Sequence, residues 1–189
     1  DKRDQRFKTT DGFISRFTQN VPLISKNYTL TNSYDIKFYD KFFDENVASY
    51  SFFASTTNAL SGRDVKLSER LFLRESRLRG FETGKIGPMD GADFIGGNYT
   101  MAFNANTTLP QVFPTLQNTS FSLFFDAANV WGVDYNKGIA DGGKVRTSVG
   151  LAVDLFTPIG PLNFTLSEPI TKSKNDVTEF FRFKLGTTF

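Results

Sequence analysis

Apolar and polar residues alternate one by one along most of this chain, and a helical period is nearly absent. In 145–155, Val145, Thr147, Val149, Leu151, Val153 and Leu155 share one face, against Arg146, Ser148, Gly150, Ala152 and Asp154 on the other. The division recurs in 99–109, where Tyr99, Met101, Phe103, Ala105 and Leu109 oppose Thr100, Ala102, Asn104, Asn106 and Thr108. At the end of the chain Phe181, Phe183, Leu185 and Phe189 oppose Arg182, Lys184, Gly186 and Thr188. One residue spoils the scheme: Phe53 interrupts a polar face made of Ser49, Ser51 and Ser55. The pattern predicts eight strands, over 13–22, 28–40, 47–60, 95–109, 119–131, 145–156, 161–168 and 178–189.

Most of these are near the ~10 residues that a tilted strand needs to cross a bilayer. Their connections alternate between short (40–46, 157–161) and long (61–94, 132–144, 168–177). Short turns on one rim and long loops on the other suit an all-β, antiparallel transmembrane barrel of the outer-membrane kind. A soluble eight-stranded sandwich would alternate in the same way. It would bury its apolar face against a second sheet, however, and seldom needs so many outward aromatics. Residues 1–189 read as one membrane-barrel domain, with 61–94 as a long extracellular loop folding into the lumen.

Composition sharpens this reading. The chain holds 22 Phe and is 15% aromatic but only 39% hydrophobic, which suits half-apolar strands better than a Leu/Ile/Val core. A net charge of +2 gives no electrostatic footprint for nucleic acid. Cysteine and histidine are absent, which excludes thiol nucleophiles, His-based triads and the usual zinc sites. No apolar run approaches the roughly 18 residues of a transmembrane helix. The polar opening Asp1-Lys2-Arg3-Asp4 is no signal peptide, so the chain is either soluble or an excerpt with its targeting segment upstream. Acidic pairs such as Asp90/Asp93 sit in turns, where they are ordinary, and no phosphate-cradling motif occurs. No enzyme, catalytic residue, metal site or cofactor is expected.

Within 61–94 stands Arg77-Leu78-Arg79-Gly80-Phe81, an odd group for a solvated loop because the aromatic would have no partner. This stretch carries a resemblance when taken with four others. They are Ile86-Gly87-Pro88 with Gly96-Gly97-Asn98, Phe125-Asp126-Ala127-Ala128-Asn129-Val130-Trp131, the hairpin from Val145 to Glu168-Pro169, and the terminal strand Phe181–Phe189. In this order they resemble the C-terminal half of the barrel of the BamA family, outer-membrane protein insertases within the wider superfamily of barrel-assembly and two-partner-secretion translocators.

The resemblance implies eight strands of a sixteen-stranded barrel, with POTRA domains and the first eight strands upstream. It implies that Arg79, Gly80 and Phe81 form the tip motif of an inward loop, and that Asp126 is the lumen partner of Arg79. A second acidic partner is implied on the preceding strand, where this chain has Asn106, and Ala128 stands where the family often has Gly. A plain structural ion pair remains the alternative role for Arg79 and Asp126. Phe181, Phe183, Leu185, Gly186 and Phe189 would form the terminal strand and its sorting signal, with Phe189 alternatively a residue of the interfacial aromatic girdle.

The function implied is an assembly factor in the outer membrane of a Gram-negative-type bacterium. It would insert and fold β-barrel clients through a seam at the last strand. Its partners would be unfolded outer-membrane β-barrel clients, assembly-complex lipoproteins and outer-membrane lipid, with no nucleic acid. A secretion pore of the two-partner type and a free-standing eight-stranded barrel are the alternatives.

Overall fold

The structure, a computed structural model, describes residues 1–5, 9–22, 28–43, 46–60, 62–110, 118–139, 143–158 and 160–186. The long strands are β1 (Gly12–Asn20), β2 (Thr29–Phe43) and β3 (Asn46–Ala59). They are followed by β6 (Tyr99–Thr108), β7 (Thr119–Trp131), β8 (Arg146–Thr157), β9 (Gly160–Thr171) and β10 (Phe181–Leu185). Between β3 and β6 lies a small hairpin of β4 (Met89–Asp90) and β5 (Asp93–Phe94). The long strands form one antiparallel sheet in the order β1-β2-β3-β6-β7-β8-β9-β10. Among the described residues β1 and β10 are the open edges and do not pair with each other.

Register converts the alternation into rows that run across the sheet. One polar-face row is Lys37, Ser51, Asn104, Asp126 and Ser148; the next is Asp35, Phe53, Ala102, Ala128 and Arg146. Hydrogen bonds knit this face laterally, as between Ser33 and Ser55 (2.8 Å) and between Asn104 and Asp126 (2.8 Å). The opposite face is aromatic and bare: Phe17 is 64% exposed and Leu185 62%. Asp126 and Ser148, on the polar face, are completely covered. A sheet in water covers its apolar face and solvates its polar one. This sheet does the reverse, as a barrel wall in lipid must.

The cover on the polar face is the segment 62–94, which carries two 3₁₀ turns, Leu67–Glu69 and Glu75–Arg77. Its Leu73, Leu78, Phe81 and Ile86 gather with Ala102, Ala128 and Val130 of the wall into a buried cluster, and Phe53 packs against it. Phe53 therefore breaks the polar face because it serves as part of the loop's seat. Ala102 and Ala128, small and in Phe53's row, leave room for the larger side chains above. Each of the four loop side chains adds on the order of 1.5–3 kcal/mol where it leaves water.

Several strand limits differ from the alternation: β2 runs past 40 to Phe43, and β6 begins at Tyr99 instead of 95. The segment Glu168-Pro169 belongs to β9, not to a loop, and a register shift lies opposite it at Thr147/Ser148, where proline has no N–H to donate. The last strand forms a regular ladder with β9 over Phe181–Leu185, from Leu166 to Leu162, flanked by one bond on either side, from Ser167 N to the Phe180 carbonyl (2.8 Å) and from Gly186 N to the Pro161 carbonyl. Its expected beginning at 178 is diverted: Thr178 bridges to Phe81 of the loop. Phe189 lies outside the described residues.

Candidate functional site

The segment from Glu75 to Glu82 crosses the polar face and takes hold of strands on both sides of its path. At its start Arg77 pairs with Asp35 of β2 and lies over the ring of Phe53 of β3, 4.5 Å from the centroid. The backbone carbonyl of Arg77 accepts from Asn104 Nδ2 of β6 at 3.0 Å. Two residues on, Arg79 reaches β7. Its Nε donates to Asp126 Oδ2 at 2.7 Å and its Nη2 to Asp126 Oδ1 at 2.6 Å, a two-pronged contact that the planar guanidinium fits.

Asp126 takes two more donors, the Arg79 backbone N–H (3.0 Å) and Asn104 Nδ2 (2.8 Å). Such a fully covered carboxylate needs this many donors to offset the loss of water. The acid implied at Asn106 is absent, yet Asn106 Oδ1 accepts from Arg79 Nη2 at 2.7 Å. The amide thus supplies the acceptor without the charge. Phe124, in the polar face of β7, lies under the Arg79 guanidinium at 3.6 Å, a cation–π contact. Ser148 of β8 donates to the Arg79 carbonyl at 2.5 Å.

Gly80 has φ +86°, and a Cβ there would stand 3.1 Å from Ser167 and 3.3 Å from Ser148. Glycine meets both demands at once, an unusual backbone and a close approach to the wall. Phe81 is 2% exposed and sits in the cluster with Leu78 and Ile86. From here the loop runs beside residues 177–179: Glu82 N donates to the Val177 carbonyl (2.9 Å), and Glu179 N to the Gly80 carbonyl (3.0 Å).

On β10, Phe181, Phe183 and Leu185 point to the bare apolar face, each half-exposed or more. Arg182 and Lys184 alternate with them on the loop side. Gly186 has φ +119° with open space where a Cβ would be, and its N–H donates to the Pro161 carbonyl at 3.0 Å.

Several contacts have no counterpart in the sequence reading. Arg182 donates to the Phe81 carbonyl at 2.8 Å and pairs with Glu179 and Glu75 (3.3 Å to Glu75), and Lys184 also pairs with Glu75. Arg146 of β8 is buried against Asp176 (3.0 Å) and Asn129 (2.6 Å). The one visible sign of these in the sequence is cationic residues at polar positions inside strands.

The outer part of the loop is tied to the connection after β7. Asp134 accepts from Val65 N (2.8 Å), Asn98 Nδ2 (3.0 Å) and Arg70 Nη2 (2.5 Å). Burial by itself would raise its pKa, but these donors and its own amide outweigh that and hold the carboxyl below the ordinary value. Tyr135 donates to Asp90 at 2.6 Å, which together with burial raises the phenol's pKa. Among the described residues no three His, Cys, Asp or Glu converge as metal ligands would. What the arrangement does chemically is position: it fixes a loop across a wall and joins it to an edge strand.

Comparison with known proteins agrees with this geometry. The chain is 32% identical to the outer membrane protein assembly factor BamA of Neisseria meningitidis over 143 residues, 59% of this chain and 17% of that protein. It is 28% identical to the BamA of Neorickettsia risticii over 132 residues, 68% of this chain and 18% of that one. The sorting assembly machinery 50 kDa subunit of Saccharomyces cerevisiae is 30% identical over 124 residues, 60% of this chain and 25% of that subunit. The chain thus spans less than a fifth of either bacterial relative.

In three dimensions it superimposes on the crystal structure of BamA from Haemophilus ducreyi lacking POTRA domains 1-3. The TM-score is 0.85 at 26% identity, covering 97% of this chain and 40% of that one. The sheet is accordingly an unclosed piece of an all-β transmembrane barrel, eight strands of its C-terminal half. The Omp85 superfamily domain matches residues 1–189, and the chain belongs to that superfamily.

Proposed function

We propose that this chain is the C-terminal part of an outer-membrane assembly factor that inserts and folds β-barrel clients at the edge of its last strand, without covalent chemistry. The observation that carries the reading is β10. Its Phe181, Phe183 and Leu185 stand on the bare apolar face, and among the described residues its ladder with β9 spans only Phe181–Leu185, the shortest pairing in the eight-stranded sheet. Bare backbone N–H and C=O groups in hydrocarbon cost several kcal/mol each, by about the reckoning that limits spanning structures to helices and closed barrels. An incoming client strand that pairs there removes that cost for both partners. Gly186, with its φ of +119°, gives the strand a place to bend away from the wall.

In this reading residues 1–189 form one part-barrel domain, and 61–94 enters the lumen from the outer surface. Arg79, Gly80, Phe81 and Asp126 hold the loop in place. The terminal strand through Phe189 doubles as the chain's own sorting signal. The partners are unfolded outer-membrane barrels, lipoproteins of the assembly complex and lipid. A bacterial outer membrane, not a mitochondrial one, is favoured by the Asp126-Ala127-Ala128-Asn129-Val130-Trp131 and Thr157-Pro158-Ile159-Gly160-Pro161 stretches. A conduit for secreted chains fits less well, because 75–82 crosses the polar face that would line it.

The test is reconstitution of the full-length protein in liposomes with an urea-unfolded outer-membrane barrel, folding being read from heat-modifiable gel mobility. Faster folding than in protein-free liposomes is expected. Equal rates would overturn the reading.

A further inference from the structure

The loop holds the wall and the edge strand with unequal strength. At the wall, Asp126 is completely covered and Arg79 18% exposed. At the edge, Glu75 is 37% exposed and pairs with both Arg182 (13%) and Lys184 (23%). An ion pair shielded from water keeps its strength in salt, whereas a half-exposed one is weak and screened. The edge contact is also backed by backbone: Thr178 bridges to Phe81, and Arg182 donates to the Phe81 carbonyl. The same loop residues therefore touch a fixed anchor on one side and the start of β10 on the other.

We infer that Glu75 is a positioning residue, the loop-side half of a releasable latch that holds β10 against the loop through Arg182 and Lys184. The inference rests on the assembly reading for its purpose, since release would free β10 to pair with a client, but its geometry is independent of clients. Two cations on one face of a five-residue strand, both meeting one carboxylate, leave β10 held as a unit. Neutralising Glu75 removes the ion pair of Lys184 and one of the two of Arg182, which keeps Glu179 and the Phe81 carbonyl, while leaving Arg79 and Asp126 untouched.

The test is hydrogen exchange followed by mass spectrometry on the full-length protein in lipid nanodiscs, with no client present. In Glu75→Gln, peptides covering 178–186 should exchange about two- to fivefold faster, the range expected for losing half-exposed ion pairs. Peptides covering 119–131 should not change. The wild-type protein should show the same acceleration when salt is raised, and Glu75→Gln should have lost that salt response. Lys184→Gln, which removes one of the two cations, should move 178–186 in the same direction and serves if the first variant fails to fold. Unchanged exchange at 178–186, or equal acceleration in 119–131, would overturn the latch. Because no client takes part, a latch that responds as stated in a protein that fails to speed client folding would sink the assembly reading alone.

Discussion

Arg79 and Asp126 meet through two parallel hydrogen bonds, of 2.7 and 2.6 Å, and the carboxylate has no contact with solvent. The two ends of this pair are not equivalent. Removing the guanidinium in Arg79→Ala leaves a buried carboxylate with Asn104 and one backbone N–H, and should cost about 3–5 kcal/mol. Asp126→Asn leaves a partly exposed cation that still reaches Asn106, and should cost less. The double variant Arg79→Ala/Asp126→Asn should cost less than the sum of the single changes. Thermal midpoints of the full-length protein in detergent measure all of these. Strict additivity would mean that the contact is not coupled.

Phe81 is the largest fully buried side chain of the loop cluster, between Leu78 and Ile86 and over the small wall residues Ala102 and Ala128. Phe81→Ala should cost about 3–5 kcal/mol, as other buried aromatic truncations do. Phe81→Leu should cost less, because it keeps part of the volume. A protease-accessible 62–94 segment in Phe81→Ala, with the barrel still heat-modifiable, would show that the loop and not the wall has come loose. An unchanged midpoint in Phe81→Ala would contradict this packing.

The strands were legible in the sequence because a half-buried sheet imposes a period of two that every residue must obey. Val145 to Leu155 shows this plainly: the alternation settles which face each residue takes, while the turns and the shift at Thr147/Ser148 settle the register. The irregular loop imposes no period, so its contacts were legible only where a motif carried them, as at Arg79. Glu75 with Arg182 and Lys184, and Arg77 with Asp35, join residues far apart in sequence through side chains alone. Nothing local marks them. Phe53 looked like an error in the alternation for the same reason: its partner, the Arg77 guanidinium, lies in the loop. The short β10 was likewise hidden, since Thr178 and Glu179 keep a strand-like composition while pairing with Phe81 and Gly80 of the loop, and the regular ladder with β9 starts just after Phe180, whose carbonyl accepts from Ser167.

Gly150 makes a further connection testable. A Cβ at this position would lie 2.0 Å from the Leu166 carbonyl oxygen and 2.5 Å from the Phe124 ring, so Gly150→Ala must move backbone or ring. Phe124 in turn underlies Arg79. The expected loss is about 1–3 kcal/mol, the range for forced overpacking. Gly143→Ala, where nothing lies within 4 Å, should stay within about 0.5 kcal/mol. Thermal midpoints decide between them, and equal shifts in the two variants would refute the crowding.

Acid should loosen the outer end of the loop through Asp134. Its carboxyl is held below the ordinary value by donors that outweigh burial. A depressed folded-state pKa contributes stability that is present above the unfolded value and is lost as pH falls through the folded one. Asp134→Asn mimics the protonated form in charge, keeping an acceptor for Val65 and Asn98 but not the ion pair with Arg70. At pH 7 the variant should therefore melt below the wild type. As pH falls below the ordinary aspartate value of about 3.9 the wild type should lose its advantage and the two midpoints converge, whatever other carboxylates do, because those are common to both proteins. A gap between the midpoints that stays constant from pH 7 to strong acid would show that Asp134 carries no such linkage.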